Sequence, residues 1–422
     1  MIEISDKHNC CGCEACVQAC PRHCISFEED NEGFLYPQVD KINCIDCGLC
    51  EKVCPILTKN NIRKPIGVYA AINPNLEERL NSSSGGIFSL LARTVILKGG
   101  IVFGAAFDEE WNVHHIAIER EEELHFLQGS KYVQSRIEKT YQEVKQNLNE
   151  GRLVLFSGTS CQVAGLRLYL RKGYKNLLTV DVVCHGVPSP KVWNSYLKSI
   201  GRLKSNVNEE SLNMLTLNEK PYIESISFRD KHNGWKKFGL AVQYSSDQGE
   251  FNDKALSPIK EKYILRESLH KNLYLQGFLK NIYLRPSCHR CKVRNGKSGS
   301  DIALGDFWGI QNILPEIDDD KGVSLVITYS EKGDNIIKTL GAILYNTEYK
   351  DALACNPCLE SSVGETKYRG FFWSTYSDDE IIKSITSILN QSKPSPVKTL
   401  TSQMIKYIHV LSLKLKKLLK IR

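Results

Sequence analysis

Ten of the sixteen cysteines fall between Cys10 and Cys54, and their spacing is that of metal ligands. Cys10, Cys13 and Cys16 are spaced two residues apart, Cys20 follows three residues later, and Pro21 closes the run. Cys44, Cys47, Cys50, Cys54 and Pro55 repeat the pattern. Three thiolates on one tight loop can reach three irons of a 4Fe-4S cube, while the fourth, past the turn, points to a companion cube. Cys10, Cys13, Cys16 and Cys54 are therefore expected on one cluster, and Cys44, Cys47, Cys50 and Cys20 on the other. The prolines turn the chain and remove one backbone donor. Cys11 and Cys24 are surplus, because eight ligands are already supplied. Zinc favours CxxC pairs in fours and does not account for two successive three-cysteine loops each closed by Cys-Pro.

A second group of chemically capable residues lies further along. Cys161, Cys184 and the pair Cys288–Cys291 would make a four-thiolate site if the fold gathers them. A zinc ribbon pairing Cys288–Cys291 with Cys355–Cys358 is the rival metal reading. Taken singly, Cys161 or Cys184 reads as a buried inert thiol, and a nucleophilic Cys161 helped by His185 is chemically conceivable. Ser82–Gly86 precedes an apolar run. Serine oxygens, glycine backbone and a helix dipole there make either an anion site or an ordinary helix start.

These residues need elements to hold them. Residues 1–60 form the cysteine-rich module, with a hairpin whose turn falls at Asp30–Gly33, and Thr58–Pro65 reads as a linker. From Ile66 to about Ile200, helical and strand patterns alternate: IFSLLARTVIL helix, IVFGAAF strand, Tyr141–Asn149 helix, RLVLFSG strand, Cys161–Arg171 helix, LLTVDVVCHG strand. Such alternation implies a largely parallel sheet with helices on both faces, whose ligands sit at the C-terminal ends of strands. Ser157–Cys161 and Cys184–Pro188 stand at such ends. Residues 201–375 are mixed, with strands at YIESISFRD, GLAVQYS and VSLVITYS. Residues 392–422 read as a basic amphipathic tail helix. Leu400, Met404, Ile408, Leu411, Leu415 and Leu418 share one face, and Lys398, Lys406, Lys416, Lys417 and Lys420 lie opposite.

Composition narrows the class. With 422 residues, 42% hydrophobic and 24% charged, the chain reads as a globular protein of more than one core. The opening MIEISDKHN has no apolar stretch of the kind a secretory signal carries, so a reducing cytosol and metal-bound cysteines are expected rather than a disulfide scaffold. The net charge of +7 is a C-terminal feature. From Ile381 to Arg422 there are nine basic residues and no acid, so the first 380 residues hold 46 basic against 48 acidic. That near-neutral body excludes a nucleic-acid-binding one.

SSSGGIFSLLA, GSKYVQS, LFSGTSCQVAGLR, VDVVCHGVPSPKVW, ISFRDK with a following Gly-Trp, and SDIALGDFWGI occur in that order. Together they resemble the coenzyme F-420 hydrogenase/dehydrogenase beta-subunit family, in the form with an N-terminal ferredoxin module, over roughly residues 5–375. One departure is Ser160, where the family usually has proline in its GTPCQ element; Cys161 is retained. The resemblance implies a small two-cluster bacterial-ferredoxin-like module followed by a larger mixed α/β domain that binds FAD and a third 4Fe-4S cluster. Cys161, Cys184, Cys288 and Cys291 are the expected ligands of that cluster. Ser84, Gly85 and Gly86 would cradle the flavin pyrophosphate, with Lys131, Tyr132 and Ser135 toward the phosphates and rings, and Ser157, Gly158 and Thr159 on a cofactor loop. His185 stands as the flavin-edge proton donor, or as a structural residue. Asp306, Phe307 and Trp308 either line the flavin or package it. Arg229, Asp230 and Lys231 are expected to close a salt-bridged turn nearby.

The function implied is an iron-sulfur flavoprotein oxidoreductase taking electrons from a ferredoxin or reductase partner and reducing a small organic or deazaflavin-like acceptor. The alternative is a non-catalytic electron-carrier subunit feeding a partner enzyme. The tail helix suggests peripheral contact with the inner face of a membrane, docking to a partner, or cover for the larger domain.

Overall fold

The computed structural model describes residues 1–204, 222–247 and 260–392. Beyond Ser392, the expected tail helix lies outside the described residues. No helix among the described residues is long and apolar enough to cross a membrane.

The two cysteine loops fold alike. Gly12 and Glu14 in the first, and Asp46 and Gly48 in the second, all have left-handed backbone, with φ of 66, 59, 46 and 69°. These are equivalent positions of the duplicated motif, so both loops curl the same way around their cysteines, and a short helix follows each (Ala15–Ala19 and Leu49–Lys52). Between the loops, β1 (Ile25–Glu29) and β2 (Leu35–Val39) form the expected antiparallel hairpin. Asp30 Oδ1 accepts from the amides of Glu32 and Phe34 at 3.0 and 2.9 Å, and Gly33 turns the chain at φ 79°.

The larger part begins with β3 (Gly67–Ile72), β4 (Ile101–Phe107), β5 (Val113–Ile118), β6 (Val154–Thr159) and β7 (Leu177–Val182). Next, β8 (Tyr222–Asp230), β9 (Gly239–Asp247) and β10 (Lys260–Ser268) make a separate three-stranded antiparallel sheet. The chain returns as β11 (Ile302–Asp306), β12 (Ser324–Thr328) and β13 (Ile343–Asn346), completing an eight-stranded sheet in the order β13-β3-β12-β11-β7-β6-β4-β5. Parallel pairing is confined to β4, β6, β7 and β11. The remaining neighbours pair antiparallel, so the sheet is mixed rather than largely parallel. The physical reason is that β4–β5 and β11–β12 are direct returns, which need no crossover helix.

Strand alternation sorts the core onto two faces. Ile101, Phe103, Val154, Phe156 and Leu177 pack against helices Thr140–Asn149 and Ser160–Leu170 through Tyr141, Val144, Val163 and Leu166. Val102, Leu155, Leu178 and Val180 face the other way, onto helix Ile87–Ile96 through Ile87, Leu91 and Val95. Helices thus cover both faces, as expected. The three-stranded sheet is held by an aromatic core in which Trp193 lies 4.8 Å from Phe228 and 5.0 Å from Tyr274. Helix Ile381–Gln391 closes this core with Ile381, Ile385 and Ile388.

The cysteine module is not a bead on a string. Ala15, Cys16 and Ala19 belong to the same core as Tyr141, Val163 and Leu166. Gly165 leaves room for Cys13, whose sulfur would lie 3.0 Å from a Cβ at that position. Glu14 accepts from Arg136 Nε at 2.8 Å and from the amides of Ile137 and Glu138 at 3.0 and 3.1 Å. Gln18 caps helix Thr140–Asn149 by accepting from the Tyr141 amide at 3.0 Å. The Thr58–Pro65 stretch is tied down by Arg63, which donates to the carbonyls of Ser300 (2.7 Å) and Tyr329.

Candidate iron-sulfur centres

Two cavities lie inside the module, and each gathers one of the expected ligand sets. Cys10, Cys13, Cys16 and Cys54 line the first. Cys44, Cys47, Cys50 and Cys20 line the second. The fourth cysteine of each run thus crosses to the other set, because the Cys-Pro turn carries the chain across the module. The first set is buried throughout, whereas in the second Cys47 is exposed and Cys44 half-buried. The surplus thiols also have places. Cys24 lines the second cavity with its sulfur 3.4 Å from that of Cys20.

A third cavity lies between the module and the eight-stranded sheet, at the C-terminal ends of β6 and β7. Cys161, Cys184, Cys288 and Cys291 all line it. Each arrives on a different device. Thr159 caps helix Ser160–Leu170 in a capping box with Gln162, its amide donating to Gln162 Oε1 at 2.9 Å, which fixes Cys161 in the first helical turn. Ser160 occupies the first helical position and lines the cavity beside the buried Asp181. Cys184 follows β7 directly, and the turn Pro286–Arg290 presents Cys288 and Cys291.

Two further thiols also line this cavity: Cys11, read from the sequence as surplus, and Cys358, read as half of a ribbon pair. Cys11 lines both the first module cavity and this one. Cys358 is delivered by the short turn Pro357–Leu359. Cys355 does not line the cavity: it is exposed, with its sulfur against Gly309, so the four-cysteine ribbon is not assembled. Among the described residues, no three histidine, cysteine or acidic side chains converge as around a single ion.

The cavity's charge is its most informative property. Arg294 is buried and donates to the carbonyls of Cys184 (2.7 Å), Cys358 and His185 (3.1 Å), while its Nε has no partner. Among the described residues no carboxylate pairs with it. Burial opposes its charge, but Cys291, Cys184, Cys358 and Cys288, in their ionised form, favour it and raise its pKa above the ordinary guanidinium value. Burial in turn pushes the thiol of Cys288 up to about 12. Thiolates here require more positive charge than one arginine supplies, which the irons of a cluster provide. The residues fit such a group.

Comparison with known proteins agrees with this chemistry. Residues 9–57 match the family model described as 4Fe-4S dicluster domain. Residues 151–348, which span the third cavity's Cys161, Cys184, Cys288 and Cys291, match the family model for the C terminus of the Coenzyme F420 hydrogenase/dehydrogenase beta subunit. Together the two matches support the F420 hydrogenase/dehydrogenase beta-subunit family, in the form with an N-terminal dicluster domain. The chain is thus an iron-sulfur protein of an oxidoreductase family. Among solved structures, a chain of the F420-reducing NiFe hydrogenase complex from Methanosarcina barkeri, studied by xenon derivatization, is 17% identical. The match covers 79% of this chain and 94% of that one, with a TM-score of 0.42. No curated protein matches the chain.

At the positions that the resemblance assigned to FAD, several polar groups bond within the chain. Ser84, Gly85 and Gly86 precede helix Ile87–Ile96, and two of their donors bond within the chain. The Ser84 hydroxyl donates to Val323 O at 2.9 Å, and the Gly85 amide donates to Ser324 Oγ at 2.9 Å. Lys131 bends back to donate to the carbonyls of Phe126 and Gln128 at 2.8 and 2.9 Å, and burial pulls it down to about 7. Tyr132 stacks on Phe278 at 4.7 Å and accepts from Arg229 at 3.2 Å. The Ser135 hydroxyl and the Ser157 carbonyl both engage His115, a buried residue the sequence did not flag. Gly158 packs on Gln162, and of the three loop residues Ser157, Gly158 and Thr159 only Thr159 reaches the third cavity. His185 Nε2 bonds Asn281 at 2.7 Å, with Nδ1 4.0 Å from the sulfur of Cys358; burial lowers its pKa and keeps the ring neutral.

Arg229 pairs with Asp306 at 2.6 and 3.0 Å, not within its own turn, and lies 4.0 Å over the Phe238 ring. Trp235 donates to Asp306 at 2.8 Å and stacks on Trp308 at 4.8 Å, while Phe307 is fully buried. Packing accounts for all three residues of the Asp306–Trp308 segment.

Proposed function

We propose that the chain is an electron-transfer subunit that carries electrons through three 4Fe-4S clusters to a partner enzyme. Cys10, Cys13, Cys16 and Cys54 would hold the first, Cys44, Cys47, Cys50 and Cys20 the second, and Cys161, Cys184, Cys288 and Cys291 the third, with Cys358 as a neighbouring fifth thiol. A bound cluster of this type takes up and releases one electron at a time. The observation that carries the reading is Arg294: a buried guanidinium without a carboxylate, ringed by thiols, needs an anion of the kind four thiolates around a cube make.

The chain's residues divide the work. Exposed Cys47 and half-buried Cys44 leave the second set at the surface, where a ferredoxin or reductase donor docks. The core shared by Cys16, Tyr141 and Val163 keeps water away from the first set. Cys11, lining both the first and third cavities, keeps those two sets adjacent. Because several of the expected FAD contacts bond within the chain, no step is assigned to a flavin, and the carrier reading is preferred over a flavin-dependent reductase of an organic or deazaflavin-like acceptor. We also propose that the basic tail contacts an anionic membrane surface.

Anaerobically purified protein should contain about 12 irons per chain and release no flavin on denaturation. Arg294→Met should lower iron by about 4 while the signals of the module clusters persist. About 8 irons in the wild type would remove the inner cluster, and bound flavin would reinstate the reductase reading. Truncation after Ser392 should abolish binding to vesicles containing phosphatidylserine; unchanged partitioning would remove the membrane contact.

A further inference from the structure

Arg285 is a second buried arginine without an acidic partner, and it belongs to the other side of the same relay. Its relative exposure is 1%. Although it sits in the larger domain, just before the Pro286–Arg290 turn, its whole guanidinium reaches into the module. Nε donates to the Cys10 carbonyl at 2.7 Å and one terminal nitrogen to the Leu35 carbonyl at 2.8 Å. That same nitrogen donates to the Cys10 sulfur at 3.4 Å, and the other donates to Gln134 Oε1 at 3.0 Å. The plane lies 4.4 Å over the Tyr36 ring. Among the described residues no carboxylate pairs with it. A cation enclosed in this way is costly unless an anion sits against it, and the sulfur it touches is a member of the first set.

We propose that Arg285 is a redox-tuning residue of the Cys10–Cys13–Cys16–Cys54 cluster, holding the added electron on the relay beside the inner cavity. The reasoning is electrostatic. Four thiolates around a cube carry net negative charge, and each added electron increases it. A fixed guanidinium with a hydrogen bond to one of the sulfurs therefore stabilises the reduced form more than the oxidised form, raising the reduction potential. The effect is strong because the site is dry, and it is local because the second set lies elsewhere, at the surface. Gln134 matters for the same reason. A neutral amide leaves the positive charge of Arg285 to the cluster, where a glutamate would have neutralised it.

This inference rests on the proposed ligation of the first cluster, which iron content and the electron paramagnetic resonance of the reduced module test separately. The deciding experiment is an anaerobic redox titration followed by that resonance, on full-length protein with its iron measured. Gln134→Glu keeps the shape and gives Arg285 a carboxylate; Arg285→Met removes the cation; Arg285→Lys retains it. In the first two, one module cluster should become at least tenfold harder to reduce, a fall of about 59 mV for one electron, while the other module cluster stays unchanged. Arg285→Lys should recover most of the shift. Unchanged potentials in Gln134→Glu with full iron content would overturn the proposal. So would loss of the first cluster from all three variants, which would mark Arg285 as a purely architectural clamp.

Discussion

His115 shows how much a single buried ring decides at the residue scale. Its Nε2 donates to the Ser157 carbonyl at 3.0 Å, so the neutral ring must accept at Nδ1 from the Ser135 hydroxyl at 2.7 Å. Burial pulls its pKa from 6.5 to about 4. Between those values the unfolded chain binds a proton that the folded chain does not. Stability is therefore complete above pH 6.5 and declines as pH falls toward 4, by up to about 1.4 kcal/mol per pH unit. Anaerobic urea unfolding at pH 7 and pH 5 should show the wild type losing about 2 kcal/mol more than His115→Gln. Equal losses would show that this proton does not count. Arg285 and Arg294 make the complementary point: both are buried cations matched to sulfur rather than to carboxylate.

At the scale of elements, the loop Ser82–Gly86 and the helix after it are held by the strands beneath them. A Cβ on Gly85 would collide with the Ala71 carbonyl and stand 2.6 Å from the Ser324 amide. Gly85→Ala should therefore cost about 1–3 kcal/mol through overpacking, read as a lower denaturant midpoint with iron retained. An unaffected midpoint would mean the loop is open and would revive the anion-cradle reading. The same element logic explains the cysteine loops. Left-handed backbone at Gly12, Glu14, Asp46 and Gly48 repeats because the motif repeats, and it wraps each loop around its cysteines.

At the scale of the whole molecule, the module and the sheet are one relay because they share a core. Glu14 is the principal polar tie, nearly buried and accepting from Arg136 and two backbone amides. Glu14→Ala strands the two backbone donors and should weaken docking by about 1–3 kcal/mol. Limited proteolysis should then cut within 58–65 much faster than in the wild type, with the module's iron still bound to the smaller fragment. Equal cleavage rates would show that apolar packing alone holds the module.

The gathering of eight module cysteines into two crossed sets and the hairpin between them were legible in the sequence, because spacing along a tight loop leaves few ways for its thiols to converge. So were strands β4, β6 and β7 and the helices packed on them, whose apolar periods are clean. Strands β3, β5 and β13 were not: β3 and β13 gain their pairing from strands distant in the chain, and β5 forms the sheet edge beside β4. Cys11 read as surplus and Cys358 as half of a ribbon pair, and only the fold brings both to the third cavity. The expected flavin residues illustrate the converse, because a serine-glycine loop states what its donors can do and only the tertiary structure decides where they are spent. The charge of the inner cavity is likewise a tertiary property. Arg285 and Arg294 look like any other arginines in the sequence, and burial without a carboxylate is what commits them to the clusters.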